Sequence, residues 1–183
     1  MAETLVQSAS SEDAIAMTEI AFRLFQQGDA DAFRTLNEEW IARYFTLEEH
    51  DHVQLDDPED HILRTGGQIA MALLGQERVG CCALVFIRPG VFELAKMAVS
   101  ERYRGHGIGR GLLEFTIAQA KALGAHTVEL ASNTKLANAV HLYKSLGFRQ
   151  LPPERTEPSP YARANIFMEL HLSSPAEISG VER

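Results

Sequence analysis

Basic charge, cysteine and long apolar runs are what this chain has least of, and each shortage excludes something. Lysine and arginine number 17 against 25 aspartates and glutamates, a formal net charge of −8. A nucleic-acid binder needs a net basic face. No run of basic residues offers one, so no nucleic-acid partner is expected. The only 2 cysteines, Cys81 and Cys82, are adjacent. On a strand they point to opposite faces, which excludes a disulfide framework or a metal site built on them. A reducing cytoplasm is the natural setting. No stretch approaches the ~20 apolar residues of a membrane helix, so no membrane partner is expected. Met1 to Thr18 carries acids and no basic start, unlike a secretory signal.

What is present is ordinary for a globular domain: 183 residues, 45% hydrophobic and 23% charged, enough for one domain with a sizeable core. Residues 1–17 lack periodicity and read as a flexible leader. The domain proper spans 18–173, and 174–183 form a polar, flexible tail. Ile20, Phe22 and Leu24 alternate as in a half-buried strand. From Asp31 a helix is expected, with Phe33, Leu36, Trp40 and Tyr44 on one face. The acidic stretch Thr46–Leu63, which contains Pro58, reads as a loop with a short helical turn. Runs at Gln68–Leu74, Arg78–Ile87 and Val91–Val99, separated by tight glycine turns, predict an antiparallel meander.

A helix over Gly107–Leu123 follows, closed by Gly124. Leu112, Leu113, Thr116, Ile117, Ala120 and Leu123 share one arc, from which Phe115 departs. Then come a strand at Thr127–Ser132, a helix at Lys135–Leu146 ended by Gly147, a strand near Phe148–Leu151, a proline-rich loop and a last strand at Ala164–Leu172. This order predicts an α/β fold with a mixed, mostly antiparallel sheet flanked by helices.

The most informative segment is Arg104-Gly105-His106-Gly107-Ile108-Gly109-Arg110, between a strand and a helix. Glycines at alternate positions let the backbone approach a ligand closely. The amides of the helix's first turn have no internal acceptors and favour an anion. Arg104 and Arg110 add positive charge. Together these describe a pyrophosphate cradle, although a glycine-rich surface turn with incidental arginines would look the same. The spacing is not G-x-G-x-x-G, because Arg110 and Leu112 stand where a third glycine would be needed. No Gly-Lys pair makes a P-loop. R-x-x-G-x-G remains, at Arg104, Gly107 and Gly109.

With this turn, the run Glu93-Leu-Ala-Lys-Met-Ala-Val99 and the later Ala139-Val-His-Leu-Tyr143-Lys-Ser-Leu-Gly147-Phe148, the chain resembles the GNAT N-acetyltransferase family over Ile20 to Leu172. The resemblance implies acetyl-CoA as cosubstrate and a small-molecule or peptide amine as acceptor. A second copy of the chain is an admissible partner. Met97, Ala98 and Val99 would pair with the pantetheine arm like an added strand. The amides from Gly105 through His106, Gly107, Ile108 and Gly109 to Arg110 would hold the diphosphate.

Tyr143 shares a helical face with Leu136, Ala139, Val140 and Leu146. That pattern alone fits a core tyrosine with a satisfied hydroxyl. The resemblance implies instead the acid that protonates the departing thiolate. Glu93 would be the base, as in the family's histone-acetylating branch. Its strand parity with Val99 would put both on one side of the sheet, and Glu129 is the alternative. Many relatives have an asparagine where this chain has Leu136. Asn133 and Asn138 flank that place and are candidate cofactor contacts, with a helix cap the competing role for Asn133. Glu48-Glu49-His50-Asp51-His52 reads as a solvated acidic loop rather than a metal site, and with the loop at Pro158–Arg163 it would border the acceptor. A non-catalytic acyl-CoA sensor is the alternative function.

Overall fold

In a computed structural model of the protein, residues 19–156 and 158–172 are described. The expected leader at 1–17 and tail at 174–183 lie outside them. Strand β1 (Ile20–Leu24) precedes helices α1 (Ala30–Tyr44) and α2 (Glu49–Asp56) and one π-helical turn at Glu59–Leu63. The meander β2 (Gln68–Leu74), β3 (Glu77–Arg88) and β4 (Val91–Val99) leads into α3 (Ile108–Ala122), β5 (Thr127–Ser132), α4 (Ala137–Ser145), β6 (Arg149–Gln150) and β7 (Ile166–His171). The seven strands form one sheet in the order β1-β2-β3-β4-β5-β7-β6. Its neighbours are antiparallel except β4 and β5. This is the expected α/β architecture.

Two apolar clusters sandwich the sheet. Leu112, Leu113 and Ala120 of α3 and Tyr143 of α4 pack with Phe92 and Leu94 on one face. Phe33, Leu36 and Ile41 of α1 pack with Ile69, Met71 and Ala98 on the other. Cys82 joins the first cluster and Cys81 the second, the opposite faces their adjacency requires. Gly124 and Gly147 close α3 and α4 at φ +79° and +96°, where any Cβ would be strained. Phe115, off the main arc of α3, has its own partner: it stacks on Phe22 of β1 at 6.3 Å.

The segment 46–63 differs most from expectation. Instead of a short turn it holds α2, started by a capping box in which Glu48 and Asp51 reciprocally bond each other's backbone, then the π turn. Pro58 sits between the two, where it breaks neither.

Candidate active site

The site begins where β4 and β5 part. Their parallel ladder runs only from Val91–Thr127 to Glu93–Glu129. Beyond Glu93, the β5-facing backbone groups of β4 have no ladder partner. On its other side β4 stays paired with β3 to Val99, but two steps from Cys81 to Ala83 are matched by three from Ala98 to Ala95. One extra residue is therefore accommodated there, a β-bulge, and Lys96 takes φ +49°, unusual for a residue with a side chain. The bulge reverses the alternation. Met97 and Val99 pack with the α3–α4 cluster, as do Phe92 and Leu94, whereas Ala98 belongs to the α1 face. Glu93, which alternates with Phe92 and Leu94, thus faces α1 and α2, not the side of Val99. The expected common parity fails because an undisturbed strand was assumed.

The opened gap is a cleft of about 520 Å³ running from one face of the sheet to the other. At the α3 end lies the glycine turn. Gly105 and Gly107 adopt φ +84° and +78°, so the conformation itself requires glycine there. Gly111 N–H makes the first helical bond of α3, to the Gly107 carbonyl, leaving the amides of Ile108, Gly109 and Arg110 without helical acceptors. Gly109 brings α3 against β4: a Cβ there would touch the Met97 and Leu142 methyls at 3.5 Å. His106 bonds the Arg104 carbonyl through Nδ1 at 3.0 Å. Arg104 bonds the Val99 carbonyl at 3.3 Å and Glu101 at 3.1 Å, while Arg110 reaches Ser145 at 2.8 Å. An open strand edge followed by free helix-start amides fits an extended arm ending in a diphosphate.

Tyr143 lines the same cleft. Its ring is buried and meets Phe148 edge-on at 5.9 Å. Its hydroxyl has only the Met97 Sδ, at 3.8 Å, a weak acceptor. The satisfied-core reading of this tyrosine would rest on that one weak bond. Burial pushes its phenol above the ordinary value, so it is protonated at neutral pH. Glu93 also lines the cleft, half-buried. Burial raises its pKa, the nearby Lys96 opposes this, and Glu129 adds to it. Glu129 stands beside Glu93 in the ladder but pairs with Arg88 at 3.0 Å. Asn133 is buried, donating to the Arg163 carbonyl at 2.6 Å and accepting from Lys135 N–H at 2.8 Å. It shapes the turn into α4, and its amide is committed. Asn138 is exposed at the cleft wall.

An ionic hub completes the other end, with little sign of it in the residue pattern. Asp51 is not solvated: it has no exposed surface. It accepts from Lys96 Nζ at 2.7 Å and from both terminal nitrogens of Arg163 at 2.7 Å. Arg163 also bonds Glu48 at 3.0 Å, and Lys96 bonds the Tyr161 hydroxyl at 2.8 Å. Although burial alone would raise it, these partners hold the Asp51 carboxyl at about 2. Lys96 is held below its usual value by burial. The hub ties α2 and the β6–β7 loop to the β4 bulge. The capping spacing of Glu48 and Asp51 was the available signal. Among the described residues, no group of three or more His, Cys, Asp or Glu is placed to hold a metal. Nor is any helix long and apolar enough to cross a membrane.

Comparison with known proteins agrees with this geometry. An uncharacterized N-acetyltransferase of Bacillus subtilis is 32% identical over 103 residues, 55% of this chain and 66% of that protein's own length. A GNAT-family acetyltransferase of Staphylococcus aureus has the same fold, with a TM-score of 0.77 at 22% identity over 85% of this chain and all of that one. So does a Salmonella typhimurium protein solved with its cofactor acetyl-CoA, with a TM-score of 0.67 at 19% identity over 84% of this chain and 94% of that one. The profile of the acetyltransferase (GNAT) family matches residues 31–148, more than half of the chain. With the parted β4 and β5 and the glycine turn beside them, the chain belongs to the GNAT acetyltransferase family, enzymes whose cosubstrate is acetyl-CoA.

Proposed function

We propose that the protein transfers an acetyl group from acetyl-CoA to a primary amine by direct attack, with donor and acceptor bound together in the cleft. The observation that carries this is a pair of polar groups lining it, the Tyr143 hydroxyl, held only by the Met97 sulfur, and the Glu93 carboxylate, without a hydrogen-bond partner among the described residues. Acetyl-CoA supplies the activated acetyl thioester, and in the transfer a C–N bond forms while the C–S bond breaks. The open edge at Met97, Ala98 and Val99 takes the pantetheine arm as an added strand. Amides from Gly105 to Arg110 take the diphosphate. A β4 amide near Val99 stabilises charge developing on the carbonyl oxygen. Glu93 accepts the amine's proton from the α1–α2 side, and Tyr143 donates one to the departing sulfur.

No cysteine serves as an acyl carrier in this scheme. Cys81 and Cys82 are wholly buried in β3, and burial pushes the Cys82 thiol up to about 12, far from the thiolate a nucleophile needs. Steady-state thiol release with both substrates varied tests the order of events. Intersecting double-reciprocal lines are expected. Parallel lines would indicate an acetyl-enzyme and overturn direct attack.

A further inference from the structure

The acceptor half of the cleft has walls of two chemical kinds. One is aromatic: Trp40 and Tyr44 at the end of α1, and Phe45 just after it. Trp40 meets Phe45 edge-on at 6.3 Å, and Tyr44 lies 6.4 Å from the same ring. The indole N–H is already donated to Asn37 at 3.2 Å, so what Trp40 offers a ligand is ring surface. Trp40 and Tyr44 were expected on the buried face of α1 with Phe33 and Leu36. Phe33 and Leu36 are buried there with Ile41, whereas Trp40 is half-buried at the margin and Tyr44 exposed, and both line the cleft.

The other wall is charged but already matched. Arg163 spends both terminal nitrogens on Asp51 and one also on Glu48. Lys96 is held between Asp51 and the Tyr161 hydroxyl. Two cations thus face two carboxylates of the chain itself. Glu93 is the one carboxylate among the residues lining the cleft, and no ion pair or hydrogen bond engages it among the described residues.

We propose that the acceptor is a monocationic amine on an aromatic or apolar body, with no carboxylate beside the amine. This specificity rests on the transfer function proposed above. The body lies on Trp40, Tyr44 and Phe45, and the ammonium approaches Glu93. An acceptor carboxylate would sit beside Glu93, and the hub cations Lys96 and Arg163 could pair with it only by leaving Asp51, uncovering a buried charge. A polyamine gains little, because one free carboxylate neutralises one ammonium.

The test measures thiol release at saturating acetyl-CoA with phenethylamine, phenylalanine and spermidine. It is paired with fluorescence of Trp40, the only tryptophan, in protein saturated with CoA. Phenethylamine is expected to exceed phenylalanine in kcat/KM by at least ~10-fold, the least that stranding a buried charge should cost, and to exceed spermidine, which lacks the aromatic body. Tyr44→Ala is expected to raise the phenethylamine KM with acetyl-CoA affinity unchanged, and Tyr44→Phe to restore it. Phenylalanine or spermidine turned over as well as phenethylamine would overturn the proposal. If none of the three releases thiol, the transfer function is decided by a wider amine panel and the specificity by fluorescence. A Trp40 response to phenethylamine alone then upholds it, and an equal or absent response overturns it.

Discussion

Replacing Tyr143 with phenylalanine removes one oxygen from the cleft and nothing else from the core. The ring keeps its contact with Phe148 at 5.9 Å and its place on the buried face of α4. The hydroxyl gives up only the Met97 thioether at 3.8 Å. A bond that weak is worth less than the ~1 kcal/mol of an ordinary hydrogen bond, so the urea midpoint should scarcely move. Glycine turn and β4 edge are untouched, so acetyl-CoA affinity measured by calorimetry should stay near wild type. The rate is where the loss belongs. A general acid contributes ~10²–10⁴-fold, and even a ~10-fold fall in single-turnover rate corresponds to ~1.4 kcal/mol in the barrier. The kinetic loss should therefore exceed the stability loss. A clear drop in stability with normal turnover would refute the reasoning and make Tyr143 a packing residue.

At Gly107, alanine must adopt φ +78°, a strain of ~1–2 kcal/mol. The stabilisation that acetyl-CoA confers in a thermal melt should shrink in Gly107→Ala, and an undiminished shift would contradict the cradle. Glu93 must be ionised to act as a base, and burial raises its pKa. Wild-type rate should thus fall as pH drops through a value above the usual carboxylate range. Glu93→Gln should lose that limb of the pH–rate profile together with rate, and an unchanged profile would move the role to Glu129 or to water. Asp51→Ala strands Lys96 in the hub, leaves Arg163 with Glu48 alone, and should cost ~3–5 kcal/mol in denaturant unfolding. The Asp51 carboxyl is lowered from 3.8 to about 2 on folding, so its stabilisation is present above the unfolded value and lost as pH falls from 3.8 towards 2. Asp51→Ala should flatten that acid limb.

The strands and both long helices were legible because local signals and tertiary demands agree there. Alternation in Ile20–Leu24, glycines closing the meander turns, and Gly124 and Gly147 past the helix ends each carry a local steric reason. The positive-φ turn at Gly105 and Gly107 was legible for the same cause. Glu93 does line the cleft, but its expected facing fails, since a bulge at Lys96 is fixed by pairing with β3 and leaves no mark on hydropathy. Asp51 looked solvated because its neutralising partners stand 45 and 112 residues away in sequence. A buried charge and a solvated one are the same letter until those partners arrive. Trp40 and Tyr44 follow the α1 period, and only the burial of Ile41 shows that the buried face turns past Tyr44 and leaves Trp40 at its margin.

The fate of a labelled acetyl group tests the central claim most directly. The protein is mixed with acetyl-CoA carrying a labelled acetyl, first alone and then with phenethylamine and a wider amine panel, and protein and small molecules are weighed by mass spectrometry. Without amine, the account predicts unmodified protein and intact donor. With an accepted amine, it predicts label in the amide and free CoA thiol in equal amounts, both lost in Tyr143→Phe far more than binding is. Label accumulating on the protein before the amine is added, or acetyl-CoA bound yet never transferred to any amine, would contradict it.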